Sequence, residues 1–321
     1  LRALVIRDGR LFMDPQVPRP ESLPGEVLVR VRMAGICGTD LELLKGYMAF
    51  SGIPGHEFVG VVEEDGGEGL VGRRVVAEIN CVCGECEYCM GSMPTHCLHR
   101  TVIGIDRHDG AFADYITVPS ENVHLVPETV PDREAVMIEP LAAALKGVED
   151  ASVDSGQRLA VLGDGRLGLM VAMVADHMGI DSTMVGRHPD KMKVLEGTVV
   201  RTIQSEDSAV GGMRGAFDRV IDCTGNAGGL SMALDLVRPR GRVVVKTTVA
   251  EESCFSLASL VVNEVEMVGS RCGNFDRAIE MLSVKGAPLE RMITGSFRLE
   301  EWEEAFEVAG RGDSLKVLFV M

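Results

Sequence analysis

The sequence predicts an α/β chain of two domains, one β-rich and one a doubly wound parallel sheet, and three observations carry that expectation. The length of 321 residues exceeds the roughly 250 to 300 at which single cores tend to split. Short β-type runs broken by Gly and Pro fill the first third. Beyond Arg158, strand-like and helix-like stretches alternate, the pattern of a parallel sheet with crossover helices.

Taken in order, Leu1–Arg7, Glu26–Met33, Phe58–Glu64, Arg73–Ile79 and Ala113–Val118 read as strands of a compact barrel or sandwich. The pattern changes at Glu139, where Pro140 suits the first turn of a helix. Arg158–Leu162, Thr183–Val185, Arg219–Cys223 and Arg242–Lys246 are expected as buried parallel strands, with Leu167–Met178 the first crossover helix. After about Glu264 the chain is expected to return to the first domain, through helices over Ala278–Leu282 and Trp302–Ala309 and a closing strand over Lys316–Val320. The expected domains are residues 1–140, with a cysteine lobe at about 80–100, then 141–264, then 265–321.

An apolar fraction of 46% and a charged fraction of 25% are those of a soluble globular protein, and no segment reaches the ~18 uninterrupted apolar residues a membrane span needs. The stretch from Leu1 to Asp8 alternates like a strand and lacks the sections of a signal peptide, so a cytoplasmic location is expected. A formal net charge of -16 argues against nucleic acid, whose binding needs a dense cationic surface. Aromatic residues are only 4% of the chain, too few for stacking platforms, so the expected partner is a small molecule.

Chemistry concentrates in three places. Cys83, Cys86, Cys89 and Cys97 follow one another at x2, x2 and x7 spacing, which lets four thiolates close a tetrahedron around one zinc ion. In a reducing compartment clustered thiols read as metal ligands and not as disulfides. Cys81, Cys223, Cys254 and Cys272 read as bystanders.

The second place is Gly163-Asp164-Gly165-Arg166-Leu167-Gly168, which follows a strand and opens a helix. Its glycines allow the bend, the close approach of pyrophosphate and tight helix packing, with the phosphates at the helix N-terminus. At the end of the next strand an NAD site usually presents Asp or Glu to the ribose, whereas this chain has Gly186, Arg187 and His188. Arg187 supplies a charged fork for a 2′-phosphate, so NADP is expected, with His188 and Lys191 as helpers. The alternative is NAD, with Arg187 a surface cation and Asp190 the ribose acceptor.

The third place is a mixed set: Cys37, His56 and Glu57, with Glu139 further on. Three protein ligands of mixed type leave zinc an open position for water or substrate. There zinc acts as a Lewis acid that brings a bound hydroxyl's pKa toward about 7. The Thr39 hydroxyl is placed to pass the proton onward. Singly, each residue has a plainer reading: Cys37 as a small buried residue, His56 as a turn histidine, Glu57 as a surface charge, Glu139 as a helix cap. Together with the cysteine lobe they read as a catalytic centre.

The ordered series from the Cys37-Gly38-Thr39-Asp40 and Gly55-His56-Glu57 motifs, through Cys83 to Cys97, Asp109 to Tyr115 and Glu139-Pro140-Leu141, to the Gly163 turn resembles the zinc-dependent medium-chain dehydrogenases over essentially the whole chain. The resemblance implies a GroES-like catalytic domain interrupted by a Rossmann domain, an active site in the cleft between them, and zinc on Cys37, His56 and a third ligand. In the polyol, sugar and threonine dehydrogenase branch that ligand is a glutamate, which matches Glu139, and Glu57 can exchange into the shell. Where many members carry a relay histidine, this chain has Glu42. The implied activity is hydride transfer between NAD(P) and a small secondary alcohol, polyol, sugar or hydroxy amino acid, in a homodimer or homotetramer with two zinc ions per chain.

Two other classes are weighed against it. An iron–sulfur carrier would continue the Cys83, Cys86, Cys89 run with x3 and Cys-Pro, whereas this chain continues with x7 and no proline. A non-catalytic NADP-binding sensor has no need of Cys37, His56 and Glu139.

Overall fold

Short apolar stretches joined by glycine turns build the first of two units in a computed structural model that describes residues 1–248 and 254–321. This unit comprises Leu1–Glu139 and Ile293–Met321. It opens with an antiparallel hairpin of β1 (Ala3–Arg7) and β2 (Arg10–Asp14). Asp8 and Gly9, both at positive φ, make its two-residue turn, the residue pair that this left-handed conformation favours. The long β3 (Glu26–Ile36) leads into the short α1 (Gly38–Leu43), and β4 (Glu57–Glu64) and β5 (Arg74–Ala77) follow. The lobe around residues 80–100 holds β6 (Asn80–Cys81), α2 (Glu87–Met90), β7 (Thr101–Ile103) and β8 (Arg107–His108). Then come β9 (Tyr115–Pro119), β10 (Val123–Leu125) and α3 (Asp132–Ala135).

The helix α4 (Ile138–Ala151) starts at the end of that stretch and enters the second unit, Pro140–Met292. There β11 (Leu159–Leu162), α5 (Arg166–His177), β12 (Ser182–Gly186), α6 (Pro189–Met192), β13 (Arg201–Gln204) and α7 (Ser208–Gly211) succeed one another. They are followed by β14 (Phe217–Asp222), α8 (Gly229–Leu236), β15 (Val237–Val245), α9 (Leu257–Val262), β16 (Glu266–Gly269) and α10 (Phe275–Ser283). The strands pair in the order β13-β12-β11-β14-β15-β16, all parallel, so the winding reverses beside β11. Every residue of β11 is buried, as a central strand covered on both faces requires.

The two edge strands, β13 and β16, are absent from the sequence reading. Each is only four residues long and mostly exposed, without the apolar run that betrays a central strand. Because β16 extends the parallel sheet, the chain stays in the second unit well past residue 265 and leaves it at Ile293.

Back in the first unit, β17 (Ile293–Arg298), α11 (Trp302–Gly310) and β18 (Lys316–Val320) complete the fold. The larger sheet runs β10-β5-β4-β3-β18-β17, with β9 also paired to β3. The N-terminal half of β3 pairs with β9 and its C-terminal end with β18. Phe112, Phe306 and Phe319 meet in the core, with ring centroids 5.2 Å apart for Phe112–Phe319 and 6.0 Å for Phe112–Phe306, both edge-on. No described helix is long and apolar enough to cross a membrane.

Candidate active site and metal centres

The mixed site is built where β3 ends and β4 begins. Antiparallel pairing sets Gly35 opposite Glu57, and Cys37 follows as the N-cap of α1. Ligand atoms of Cys37, His56 and Glu57 consequently lie within 4.8 Å of one another. His56 and Glu57 are buried and Cys37 is half-buried. Asp40 organises the group: its Oδ2 accepts the Cys37 amide at 2.7 Å, and its Oδ1 stands 3.5 Å from His56 Nδ1, within ion-pair reach. Burial opposes a charge on His56, but the Asp40 carboxylate and the Cys37 thiolate overcome it and hold its pKa well above the usual histidine value. The Cys37 sulfur lies 3.8 Å from Thr39 Oγ1, so Thr39 stands beside the ligand set. Glu42 faces away, paired with Lys45 on the surface.

Glu57 has a partner that sequence reading passed over. Lys316 on β18, only 1% exposed, donates from Nζ to Glu57 Oε2 at 2.5 Å. Gly35 makes room for this pair: a Cβ there would come within 2.5 Å of Glu57 Oε2. The other oxygen, Oε1, is buried without a hydrogen-bond partner, as is His56 Nδ1. Buried polar atoms left this way are costly unless something binds them. A thiolate, an imidazole and a carboxylate converging on one point suit zinc. Glu139 is not part of the converging group; it stands in the first turn of α4, at the boundary of the two units.

The cysteine lobe brings Cys83, Cys86, Cys89 and Cys97 together, again with donor atoms within 4.8 Å. Cys86 and Cys89 lie 3.5 Å apart at sulfur, as do Cys83 and Cys97. Amides of Cys83 and His99 donate to the Cys97 sulfur, each at 3.4 Å, and lower its pKa. Amides of Cys89 and Leu98 draw the Cys86 thiol down to about 6. Such donors favour thiolates, the form that zinc takes. Cys81 stays outside the group, its thiol pushed up to about 11 by burial, and burial likewise raises Cys223 to about 12.

The third group lies in the second unit. Gly163, at φ 98°, makes the bend after β11, Arg166 and Leu167 open α5, and Gly168 packs so closely that a Cβ would strike the Gly163 carbonyl at 1.8 Å. A cavity of about 470 Å³ at the carboxyl ends of the strands is lined by Gly163, Gly165, Gly186, Arg187, His188 and Lys191, among others. It also holds Asp164, which sequence reading left unassigned. Although burial opposes it, donors from the His188 backbone and ring keep the Asp164 carboxyl below its usual pKa. Asp190 is paired with Lys193 on the surface and does not line the cavity.

Comparison with known proteins places relatives along nearly the whole chain. The alcohol dehydrogenase GroES-like domain family matches residues 23–128, and the zinc-binding dehydrogenase family matches residues 167–284. A sorbitol dehydrogenase from Halalkalibacterium halodurans is 30% identical over 94% of the chain and 93% of its own length. A zinc-binding dehydrogenase from Sinorhizobium meliloti 1021, solved with NADP, superposes with a TM-score of 0.92 and 27% identity, covering 100% of this chain and 99% of that one. An alcohol dehydrogenase from Escherichia coli CFT073, solved with NADH, superposes with a TM-score of 0.91 and 26% identity over the same shares.

Proposed function

The chain belongs to the zinc-dependent medium-chain dehydrogenases, oxidoreductases of alcohols and polyols that use NAD(P), and from that premise we propose a reaction centre on Cys37, His56 and a carboxylate. The observation that carries the reading is the buried convergence of Cys37, His56 and Glu57, with His56 Nδ1 and Glu57 Oε1 lacking hydrogen-bond partners. Glu139 is the third ligand for the working state and Glu57 its exchange partner, because Lys316 already neutralises Glu57. When bound, zinc supplies Lewis acidity to a substrate hydroxyl, and the nicotinamide supplies the hydride acceptor.

The chain's own residues do the rest. Asp40 fixes Cys37 and His56, so that neither ligand must reorganise when substrate enters. Thr39 takes the hydroxyl proton and hands it toward solvent. The preferred substrate is a secondary hydroxyl on a small polyol, sugar or hydroxy amino acid, and Arg187, His188 and Lys191 favour NADP through its 2′-phosphate.

A homo-oligomer is supported by the edge of the parallel sheet, where, among the described residues, β16 exposes Met267 and α9 exposes Leu257, Val261 and Val262. The four-thiolate lobe suits the reducing cytoplasm. The test is a screen of secondary alcohols, polyols, aldoses and hydroxy amino acids, followed by NADH or NADPH absorbance with both cofactors offered. Turnover of a polyol with a higher kcat/KM for NADP is expected. No turnover of any of them by zinc-loaded protein would overturn the reading.

A further inference from the structure

The acid that an NAD site places at the end of its second strand is missing here, yet a carboxylate occupies that space. It comes from within the glycine turn. A Cβ built on Gly186 would lie 2.6 Å from Asp164 Cβ and 2.8 Å from Asp164 Oδ2, so Gly186 is small because Asp164 sits over it. Asp164 is only 6% exposed. Its Oδ2 accepts the His188 amide and stands 3.1 Å from His188 Nδ1, while Oδ1 lies 3.2 Å from the same nitrogen.

These contacts decide what the carboxylate can do. Both oxygens lie within hydrogen-bond reach of His188 and the residue is buried, so the carboxylate's partner is His188 and not a ribose diol. The His188 side chain is 48% exposed and lines the cavity together with Arg187 and Lys191, where Glu206 is the other acid. A hydrogen bond from Nδ1 to a carboxylate fixes the imidazole plane and leaves Nε2 to face a ligand. We propose that Asp164 is a specificity-determining positioning residue: by clamping the His188 amide and ring it holds His188 beside Arg187 and Lys191 as one site for the 2′-phosphate of NADP. The proposal rests on the dinucleotide reading of this crevice and deepens it.

The test uses the full zinc-loaded chain and two probes, 2′,5′-ADP, which carries the 2′-phosphate, and 5′-ADP, which lacks it and has a 5′-diphosphate instead, with calorimetric Kd values for each. Asp164→Asn keeps the side-chain shape and an acceptor for the His188 amide but loses the charge. It should weaken 2′,5′-ADP about tenfold while 5′-ADP binding stays as in wild type, a change in selectivity that loose folding of the crevice does not produce. His188→Gln should lose a similar factor, and the double variant should lose little more than either alone, because the two act as one unit.

Unchanged or improved 2′,5′-ADP binding by Asp164→Asn would overturn the proposal, since the carboxylate would then be neutral or repulsive toward the phosphate. A loss falling on 5′-ADP as much as on 2′,5′-ADP would also overturn it, by showing that Asp164 reads the ribose itself. If wild-type protein bound neither probe, the dinucleotide reading would fail first and this proposal with it. Binding of 5′-ADP alone would remove the proposal and leave that reading intact.

Discussion

The cysteine lobe and the Cys37 site both gather metal-binding side chains within 4.8 Å, but they are made in opposite ways. The lobe draws four donors of one kind from Cys83 to Cys97, with amides of its own segment steadying the sulfurs. The other site draws three kinds of donor from the end of β3 and the start of β4, then adds Lys316 from 259 residues away. A closed set of identical ligands suits a structural ion, whereas a mixed and incompletely satisfied set leaves room for chemistry. The difference teaches that proximity of donors does not make two clusters alike: one is satisfied within its own segment, and the other is held by distant parts of the fold and left incompletely satisfied.

Substitutions at five positions test this contrast, ranked by expected loss of turnover per folded molecule. His56→Ala should lower kcat/KM by on the order of a thousandfold or more, with circular dichroism and the unfolding midpoint close to wild type. A variant that stayed active would remove the catalytic assignment altogether. Glu139→Ala and Glu57→Ala come next, each reducing kcat/KM by roughly 10- to 100-fold under the proposal that each carboxylate tunes or holds the metal. If both retained wild-type rates, no carboxylate would belong to the site.

Lys316→Met sharpens the comparison because the lysine is not itself a ligand and reaches the group only through Glu57. Removing one partner of a buried ion pair costs about 3 to 5 kcal/mol and leaves the Glu57 charge uncompensated. Denaturant unfolding should show that loss, together with about a tenfold fall in kcat/KM, and Lys316→Arg should restore most of both. Failure of arginine to rescue would mean that the lysine fills space and does not balance charge.

The smallest effect on turnover is expected from Cys89→Ser. Zinc content should fall from two ions per chain to one and the unfolding midpoint should drop, while the folded fraction turns over near the wild-type rate. Loss of turnover without loss of stability would reverse the roles assigned to the two sites.

Much of this was legible in the residues. The x2, x2, x7 spacing of the cysteines is local, so its geometry is nearly implied by the chain itself, and the glycines of the Gly163 turn announce their use in the same way. The apolar runs of β3, β4 and β11 likewise announce central strands. The edge strands β13 and β16 did not, because each is only four residues long and mostly exposed, too short and too little buried to show a periodicity.

Sequence alone determined the kinds of candidate ligand, their order along the chain and the glycine turn between β11 and α5, because each depends on residue type and short spacing. Tertiary structure decided which charges meet. Lys316 reads as one cation in an apolar closing strand until β18 lies beside β3, where Gly35 leaves the space that lets its Nζ reach Glu57. Asp164 reads as a spacer between glycines until β12 pairs with β11 and the open Cα of Gly186 admits its carboxylate to His188. Electrostatic contacts act over a few ångströms of space and not over sequence separation, so register and strand order had to be known before these pairs could be.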